Sequence, residues 1–245
     1  MAVTRTDGED DMRGDREAWP TTVDQAEAAE RALRPLVDLS GRSPARVRTV
    51  AGLDVAYATG SERVAGAVVV LDATTLRPVD EAAVVGTAAF PYVPGLFAFR
   101  ELPPLLDALE RLTTTPDLLL CDGHGIAHPR RFGLACHLGA RTGLPSVGVA
   151  KNRLVGDHEA PGPRRGDHAD LLDADGTTLG RVLRTQDGIR PVHVSVGHAI
   201  GLAPAAEWVL RCSPRFRLPE TTRLADQLSR RALRAATSGT GVSGW

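Results

Sequence analysis

Apolar positions fall into short runs along most of the chain, and their spacing changes between the period of strands and that of helices. Apolar runs bounded by turn residues predict strands over 48–57, 64–71, 78–87, 117–122, 146–150, 179–185 and 192–196. Apolar positions three and four residues apart predict helices over 23–37, 97–112, 132–142, 203–212 and 220–236. We expect Pro103 and Pro104 to kink or restart the second helix, and the polar segment 156–170 to form a loop.

The order of these elements indicates the fold class. Three meandering strands are followed by strand–helix–strand units, which predicts an α/β fold with a mixed sheet and helices on its faces. We place this single domain at residues 21–236, between a disordered acidic tail at 1–20 and a mobile tail at 237–245. The first strand of such a sheet is commonly central, with the next parallel strand beside it.

Composition and charge exclude few functions. Cys121, Cys136 and Cys212 form no CxxC pair, so we expect reduced thiols and a cytoplasmic location. We expect neither a signal peptide nor a membrane span, because the N-terminus is polar and no apolar run approaches ~20 residues. The formal net charge of −1 does not exclude a nucleic-acid partner, because the acidic segment 1–20 accounts for more than this whole excess.

Four acidic residues occupy positions that suit a metal site. Asp54 interrupts an apolar strand, and Asp122 follows another. Glu101 lies early in a predicted helix, and Asp226 lies within the last one. We therefore expect Asp54 and Asp122 to lie on neighbouring strands, close enough to share a cation. Mg²⁺ or Mn²⁺, as one ion or two, would suit these oxygen ligands, with phosphate and water completing the shell. Zinc is disfavoured, because the nearby histidines have no cysteine pair to complete a tetrahedron.

Each acid also has a simpler interpretation. Asp54 could pair with an arginine, and Asp122 could be a turn residue or a helix N-cap. Glu101 and Asp226 could be solvated helix residues. Lys151 favours the functional interpretation, because it is the single lysine among 29 basic residues and follows an apolar strand directly. A compact ammonium group does chemistry that a guanidinium group does not.

Five blocks of sequence, in order, resemble the endonuclease V family of deoxyinosine 3′-endonucleases. Phe-Pro-Tyr-Val-Pro-Gly-Leu-Phe-Ala-Phe-Arg-Glu at 90–101 resembles the family's wedge motif and its following glutamate. Asp-Gly-His-Gly-Ile-Ala-His-Pro-Arg at 122–130 resembles its most specific signature. Three further blocks, at 149–154, 194–198 and 217–226, are similar to the remaining motifs. The resemblance runs from about residue 23 to residue 235. Asn152, where serine is usual, and Thr221, where proline is common, depart from the pattern without removing a candidate catalytic group.

The resemblance implies a ribonuclease H-like fold with helices on both faces of the sheet, and a divalent-metal-dependent endonuclease of DNA repair. It implies hydrolysis of the second phosphodiester bond 3′ to deoxyinosine, which leaves 3′-hydroxyl and 5′-phosphate ends. Asp54, Glu101, Asp122 and Asp226 would be the carboxylates that hold Mg²⁺, for which Mn²⁺ would substitute. Lys151 would be the partner of the attacking water or of the scissile phosphate. We expect a monomer that acts on inosine-containing DNA.

A stiff proline-containing loop would serve as a wedge that fills the gap left by an extruded base, and glycine backbone groups would contact the hypoxanthine edge. Nearby histidines would contact phosphate or a metal-bound water, and an arginine would contact the backbone of the nucleic acid. The candidate substrate-binding residues are Pro91, Tyr92, Val93, Pro94, Gly95, Gly123, Gly125, His128, Arg130 and His198.

Several alternatives remain open at this point. Tyr92 could pack into the core, and each glycine could be a turn residue. The sequence does not separate DNA from RNA as the substrate, because that choice depends on contacts with 2′-hydroxyl groups. A catalytically silent nucleic-acid binding module is a further alternative, although a binder has no need of clustered negative charge facing phosphates.

Overall fold

The computed structural model describes residues 19–238. Nearly all of the tails predicted at 1–20 and 237–245 lies outside these residues. Within them, Pro20 is buried and Trp19 Nε1 donates to the carbonyl of Phe99 at 2.9 Å, so the domain begins earlier than the predicted residue 21. The last helix reaches Ser238, two residues beyond the predicted end of the domain.

One mixed sheet of eight strands forms the centre of the domain. Its spatial order is β3-β2-β1-β4-β5-β8-β7-β6, in which β1, β4 and β5 run parallel and the other neighbours are antiparallel. The strands are β1 (Thr49–Tyr57), β2 (Arg63–Asp72), β3 (Pro78–Thr87), β4 (Leu118–Cys121), β5 (Ser146–Ala150), β6 (His168–Leu172), β7 (Thr178–Leu183) and β8 (Val192–His198). The helices are α1 (Val23–Leu33), α2 (Ala98–Glu110), α3 (Leu134–Thr142), α4 (Leu202–Arg211) and α5 (Glu220–Ser238).

Both faces of the sheet are covered by helices, as predicted for an α/β fold. Apolar side chains of α2 and α3 pack on one face against alternate residues of β1, β2 and β4. The opposite face is covered by α4, over β5 and β8, and by α5, over β2. The alternation along β1 therefore points Leu53 towards α2 and leaves Asp54 on the α5 face.

Two details of the predicted elements need correction. The polar segment 156–170, predicted to be a loop, contributes to β6, an edge strand in which Leu171 is the only buried residue. The helix predicted over 23–37 ends at Leu33 and is followed by a short 3₁₀ turn at Arg34–Leu36. The strands predicted over 179–185 and 192–196 are confirmed as β7 and β8, which are antiparallel neighbours in the sheet.

Helix α2 continues through Pro103 and Pro104 rather than restarting there. Proline has no N–H, so Pro103 cannot donate to the carbonyl of Phe99 four residues earlier. The indole N–H of Trp19 bonds that carbonyl instead. A buried backbone acceptor thereby keeps a partner, and the helix stays continuous up to Glu101 and beyond.

The close packing of α5 on β1 depends on a glycine. A Cβ atom at Gly52 would lie 2.1 Å from the carbonyl carbon of Thr221, in the first turn of α5. Backbone atoms cannot move aside as the end of a flexible side chain can. The missing side chain therefore allows α5, which carries Asp226, to lie directly on the strand that carries Asp54.

We expect Gly52→Ala to lower the free energy of unfolding by about 3 kcal/mol or more, because the added methyl group would overpack a backbone contact. Chemical denaturation followed by circular dichroism measures the change. Gly86→Ala in β3 is the matched control, since a Cβ there has nothing within 4 Å. Equal stabilities of the two variants would contradict this account of the packing.

Candidate active site

Two carboxylates lie side by side on neighbouring parallel strands. Leu53 of β1 is paired in register with Cys121 of β4, and the amide of Asp122 donates to the carbonyl of Leu53 at 3.1 Å. Asp54 is the next residue of β1, and Asp122 directly follows the end of β4. The prediction that they would lie on adjacent strands is confirmed by this pairing.

Asp54 is 9% exposed and accepts a hydrogen bond of 3.0 Å from Ser229 Oγ of α5. Burial is the largest of the causes that raise the pKa of Asp54 to about 8, and the negative charges of Asp122 and Asp226 contribute to the same shift. The side-chain interaction with Asp122 acts in the same direction on the pKa of Asp54. The site thus concentrates more negative charge than it can hold fully ionised.

Glu101 extends this negative charge from the other side of the cleft. It lies in the first turn of α2 and accepts a hydrogen bond of 3.0 Å from the hydroxyl of Tyr57, at the end of β1. Burial raises the pKa of Glu101 to about 7; the charge of Asp122 acts in the same direction, and the Tyr57 hydroxyl opposes it.

Protein cations compensate part of this charge. Lys151, which directly follows β5, forms an ion pair with Asp122 Oδ2. Burial alone would lower the pKa of Lys151, but the hydrogen bond and charge of Asp122, with the charges of Asp54 and Asp226, raise it. Asp226 in turn pairs with Arg230 Nε one helical turn later, at 2.8 Å. The simpler alternative for Asp54, an arginine partner, is not found among residues 19–238.

These groups line one cleft of about 520 Å³. Its polar lining consists of Asp54, Tyr57, Glu101, Asp122, Lys151, Asp226, Arg230 and Arg234. The predicted four-carboxylate metal site needs correction in its geometry: within residues 19–238, no three Asp, Glu, His or Cys side chains are placed so that they could hold a metal ion. Glu101 turns to Tyr57 and Asp226 to Arg230, while Asp54 and Asp122 remain the closest pair.

The chemistry of the donors nevertheless fits a divalent cation. All four candidate ligands are carboxylates, which hard ions such as Mg²⁺ prefer. Burial is the main cause of the raised pKa values of Asp54 and Glu101, and the charges of neighbouring carboxylates add to it. A cation placed among these oxygens would favour their ionised forms. Asp122 and Asp226, which now pair with Lys151 and Arg230, would have to rotate before three carboxylates could hold one ion.

The predicted wedge, residues 91–95, has no helix or strand and presents its aromatic side chain outward. The Tyr92 side chain is 73% exposed, and its ring lies 4.5 Å, centre to centre, from that of Phe97. Packing of Tyr92 into the core, the simpler alternative, is therefore wrong; Phe90 fills that role at 1% exposure. Pro91 and Pro94 are exposed, and Val93 is half-buried against the cluster that contains Phe90.

The three candidate glycines differ in their surroundings. Gly95 has φ of +78°, a left-handed conformation that side chains disfavour. At Gly125 a Cβ atom would lie 2.0 Å from the carbonyl oxygen of Val196, and its amide donates to Ser195 Oγ at 2.8 Å. Gly125 is thus explained by packing on β8, and its amide is not available to a base. At Gly123 the nearest atoms to a Cβ are those of Leu134, at 3.5 Å.

The prediction that Arg130 binds the nucleic-acid backbone needs correction, because its side chain instead connects α1 to the loop at 91–95. It forms ion pairs with Glu27 at 2.9 Å and with the buried Glu30 at 2.7 Å. Its remaining terminal nitrogen donates to the carbonyl of Gly95 at 2.9 Å. The physical reason for the correction is that two carboxylates of α1 compensate its charge, and Arg130 therefore positions the wedge.

The two predicted histidines occupy different places. His128 is 7% exposed and approaches Gly95, and burial lowers its pKa to about 4, so it is neutral at pH 7. His198 pairs with Ser146 at the start of β5, whereas Lys151 follows the end of that strand. Its Nδ1 accepts from the amide of Asp38 at 3.0 Å. The prediction that His198 lies beside the carboxylates is wrong. Because β8 runs antiparallel to β5, its last residue, His198, lies next to the start of β5, and Lys151 and the carboxylates lie near the end of β5.

Three residues that contact the acids of the cleft were not predicted from the sequence. Tyr57 contacts Glu101, Ser229 contacts Asp54, and Arg230 contacts Asp226. A signal exists for two of them. Ser229 and Arg230 follow Asp226 by three and four residues, and these positions share one face of a helix. Tyr57 lies at the end of β1, three residues after Asp54, and only the position of α2 reveals its partner.

Comparison with known proteins identifies the family. The Endonuclease V family model matches residues 31–227, most of the chain. The chain belongs to the Endonuclease V family. Endonuclease V of Nocardia farcinica is 57% identical over 220 residues, which are 90% of this chain and 96% of that protein.

Solved structures of the family share the fold. The crystal structure of Endonuclease V from Streptomyces avermitilis superposes with a TM-score of 0.86 at 51% identity, covering 90% of this chain and 97% of that one. Endonuclease V from Ciona intestinalis, solved in complex with a 24mer DNA containing an inosine followed by a ribo-adenosine, gives 0.75 at 26% identity, covering 87% and 98%. The chain is accordingly a nuclease. In residues 19–238, none of the helices is long and apolar enough to cross a membrane.

The raised pKa values predict how stability depends on pH without metal. A carboxyl whose pKa is higher in the folded than in the unfolded state binds a proton on folding, so stability falls as pH rises from about 4 to about 8. In EDTA, we expect Asp54→Asn to melt at least about 3 °C above the unsubstituted protein at pH 8.5, and with a smaller pH dependence. Scanning calorimetry between pH 5 and pH 9 measures both.

The exposed Glu207 of α4 provides the control, because Glu207→Gln removes a carboxylate far from the cleft. A melting temperature of Asp54→Asn that follows the unsubstituted protein at every pH would show that Asp54 is not held at a raised pKa.

Proposed function

We propose that the protein is a divalent-metal-dependent endonuclease of DNA repair that recognises deoxyinosine. It hydrolyses the second phosphodiester bond 3′ to the deaminated base and leaves 3′-hydroxyl and 5′-phosphate ends. The observation that carries the proposal is the meeting of Asp54, Asp122, Asp226 and Lys151 in one cleft of a chain of this family. The inosine-containing DNA in the Ciona intestinalis structure supports the choice of substrate.

Asp54 and Asp122 would hold the metal ion, with Asp226 and Glu101 nearby as further ligands. Mg²⁺ fits these oxygen donors, and Mn²⁺ would substitute. When bound, such an ion polarises the phosphate and lowers the pKa of a water molecule. Ser229 fixes the side chain of Asp54 by its hydrogen bond, so the carboxylate is oriented before the substrate arrives.

Lys151 contributes a positive charge at the end of β5. Its raised pKa keeps it protonated at neutral pH, so it donates hydrogen bonds and does not act as a base. Its ammonium group lies next to the carboxylate that would hold the metal, which is where the scissile phosphate would bind. We assign it to orienting that phosphate and the attacking water.

Recognition of the base is assigned to the wedge at 91–95. Tyr92 is exposed and backed by Phe97, so its ring can enter a base stack without unfolding the core. Arg130 holds the carbonyl of Gly95 and thereby keeps the loop in one position. Pro91 and Pro94 restrict the backbone on either side of the ring.

We expect Asp122→Asn to reduce cleavage of a single-inosine duplex at least about a thousandfold, because one of the closest pair of metal ligands is lost. Binding of the same duplex in Ca²⁺ should remain measurable, since the fold is retained. Cleavage is followed on end-labelled strands with Mg²⁺, Mn²⁺ or EDTA, and binding by fluorescence anisotropy. Asp54→Asn should behave in the same way.

Glu207→Gln is again the control and should cleave at the unsubstituted rate. An unsubstituted protein that binds inosine-containing strands but cuts neither DNA nor RNA with Mg²⁺ or Mn²⁺ would indicate a binding module. Cleavage confined to inosine-containing RNA would replace DNA by RNA as the substrate.

The wedge makes a separate prediction. Tyr92→Ala should reduce the preference for inosine over adenosine roughly tenfold, because base–aromatic stacking contributes about 1–3 kcal/mol. The ratio of kcat/KM on duplexes that differ only at this base measures the preference. Leu39→Ala, which truncates another exposed apolar side chain, should leave the ratio unchanged. An unchanged ratio in Tyr92→Ala would refute the wedge role.

A further inference from the structure

Two arginines lie next to Lys151 without carboxylate partners. The half-buried guanidinium of Arg217 donates to the carbonyls of Lys151, Arg190 and Pro191. The exposed side chain of Arg190 has a single, long contact of 3.4 Å with Asn152 Oδ1. Among residues 19–238, neither arginine forms an ion pair with an acidic side chain.

Other arginines of this neighbourhood are compensated. Arg153 pairs with Asp157, and both Arg215 and Arg223 pair with Glu220. Arg190 and Arg217 are instead close enough for the charge of Arg190 to help burial lower the pKa of Arg217. Two guanidinium groups therefore repel each other at a place where neither of them forms an ion pair with a described acidic side chain.

The position of this pair relates it to the cleft. Arg217 bonds the backbone of the residue whose side chain pairs with Asp122. Asp122 also opposes the lowering of the Arg217 pKa, so the two charges are within electrostatic range. An anion bound by Arg190 and Arg217 would therefore lie on the Lys151 side of the cleft.

We propose that Arg190 and Arg217 bind a phosphate of the nucleic-acid backbone adjacent to the one that is cut. This subsite rests on the proposed function. A phosphodiester supplies the negative charge that the pair lacks, and guanidinium groups match the geometry of phosphate oxygens. Arg217 also bonds the backbone directly after β5 and directly before β8, so its guanidinium group has a fixed position. The side chain of Arg190 is exposed and provides the more mobile donor group.

Arg190 allows a test that does not perturb the fold, because its side chain is exposed and its carbonyl, which Arg217 uses, stays in any substitution. We expect Arg190→Ala to reduce the magnitude of the slope of log K against log salt concentration by about 1, as the loss of one phosphate contact requires. Affinity at 0.1 M salt should fall roughly fivefold to tenfold. The ratio of affinities for inosine and adenosine duplexes should not change, because phosphates carry no base information.

Fluorescence anisotropy in Ca²⁺ over a series of NaCl concentrations measures slope and affinity. Arg190→Lys should restore most of the slope, since it keeps the charge. Arg77→Ala is the matched control: Arg77 is exposed in the turn between β2 and β3, at the edge opposite the cleft.

A slope in Arg190→Ala equal to that of the unsubstituted protein, or a reduction equally large in Arg77→Ala, would overturn the subsite. Either result with normal cleavage of inosine-containing DNA would leave the proposed function intact. Absence of binding and cleavage in the unsubstituted protein would instead refute the proposed function itself.

Discussion

The parallel pairing of β1 with β4 is the constraint on which the site depends. It places two aspartates on adjacent strands, on the same face and at the same level. Burial raises the pKa of Asp54, and the neighbouring carboxylate of Asp122 raises it further, so the two groups do not both ionise freely. The rest of the cleft compensates part of this charge, since Lys151 forms an ion pair with Asp122 and Ser229 donates a hydrogen bond to Asp54. The proposed divalent cation would compensate more of it.

Helix α5 contributes both a carboxylate and compensating groups to this charge cluster. Gly52 lets the helix lie on β1, and its next turns bring Asp226, Ser229 and Arg230 to the cleft. Each turn therefore contributes either negative charge or compensation for it. Stability and function are opposed here, since a neutral side chain in place of Asp54 would lower the electrostatic cost of folding and remove a proposed ligand.

The sequence predicted the parts of the molecule that depend on local pattern. Apolar runs located the strands and helices, and the acids that interrupt them, Asp54 and Asp122, proved to be neighbours in space. Strand β6 was missed because an edge strand with a single buried side chain leaves no alternation to detect. His198 was misplaced because its position depends on the antiparallel direction of β8, which no local pattern specifies.

The arginines show why charge alone is a weak guide to nucleic-acid contacts. Arg130 lies in the most specific motif of the chain, yet Glu27 and Glu30 of a distant helix compensate it, and its function becomes the support of the wedge. Arg190 lies in no recognised motif and has no acidic partner among the described residues. A cation is available to a phosphate only when the folded protein leaves its charge uncompensated, and this property depends on tertiary pairing. Lys151 shows the opposite case, in which a cation is compensated until a ligand binds. Its ammonium group pairs with Asp122, a proposed metal ligand. A divalent cation that compensated Asp122 would therefore leave the charge of Lys151 available to the phosphate.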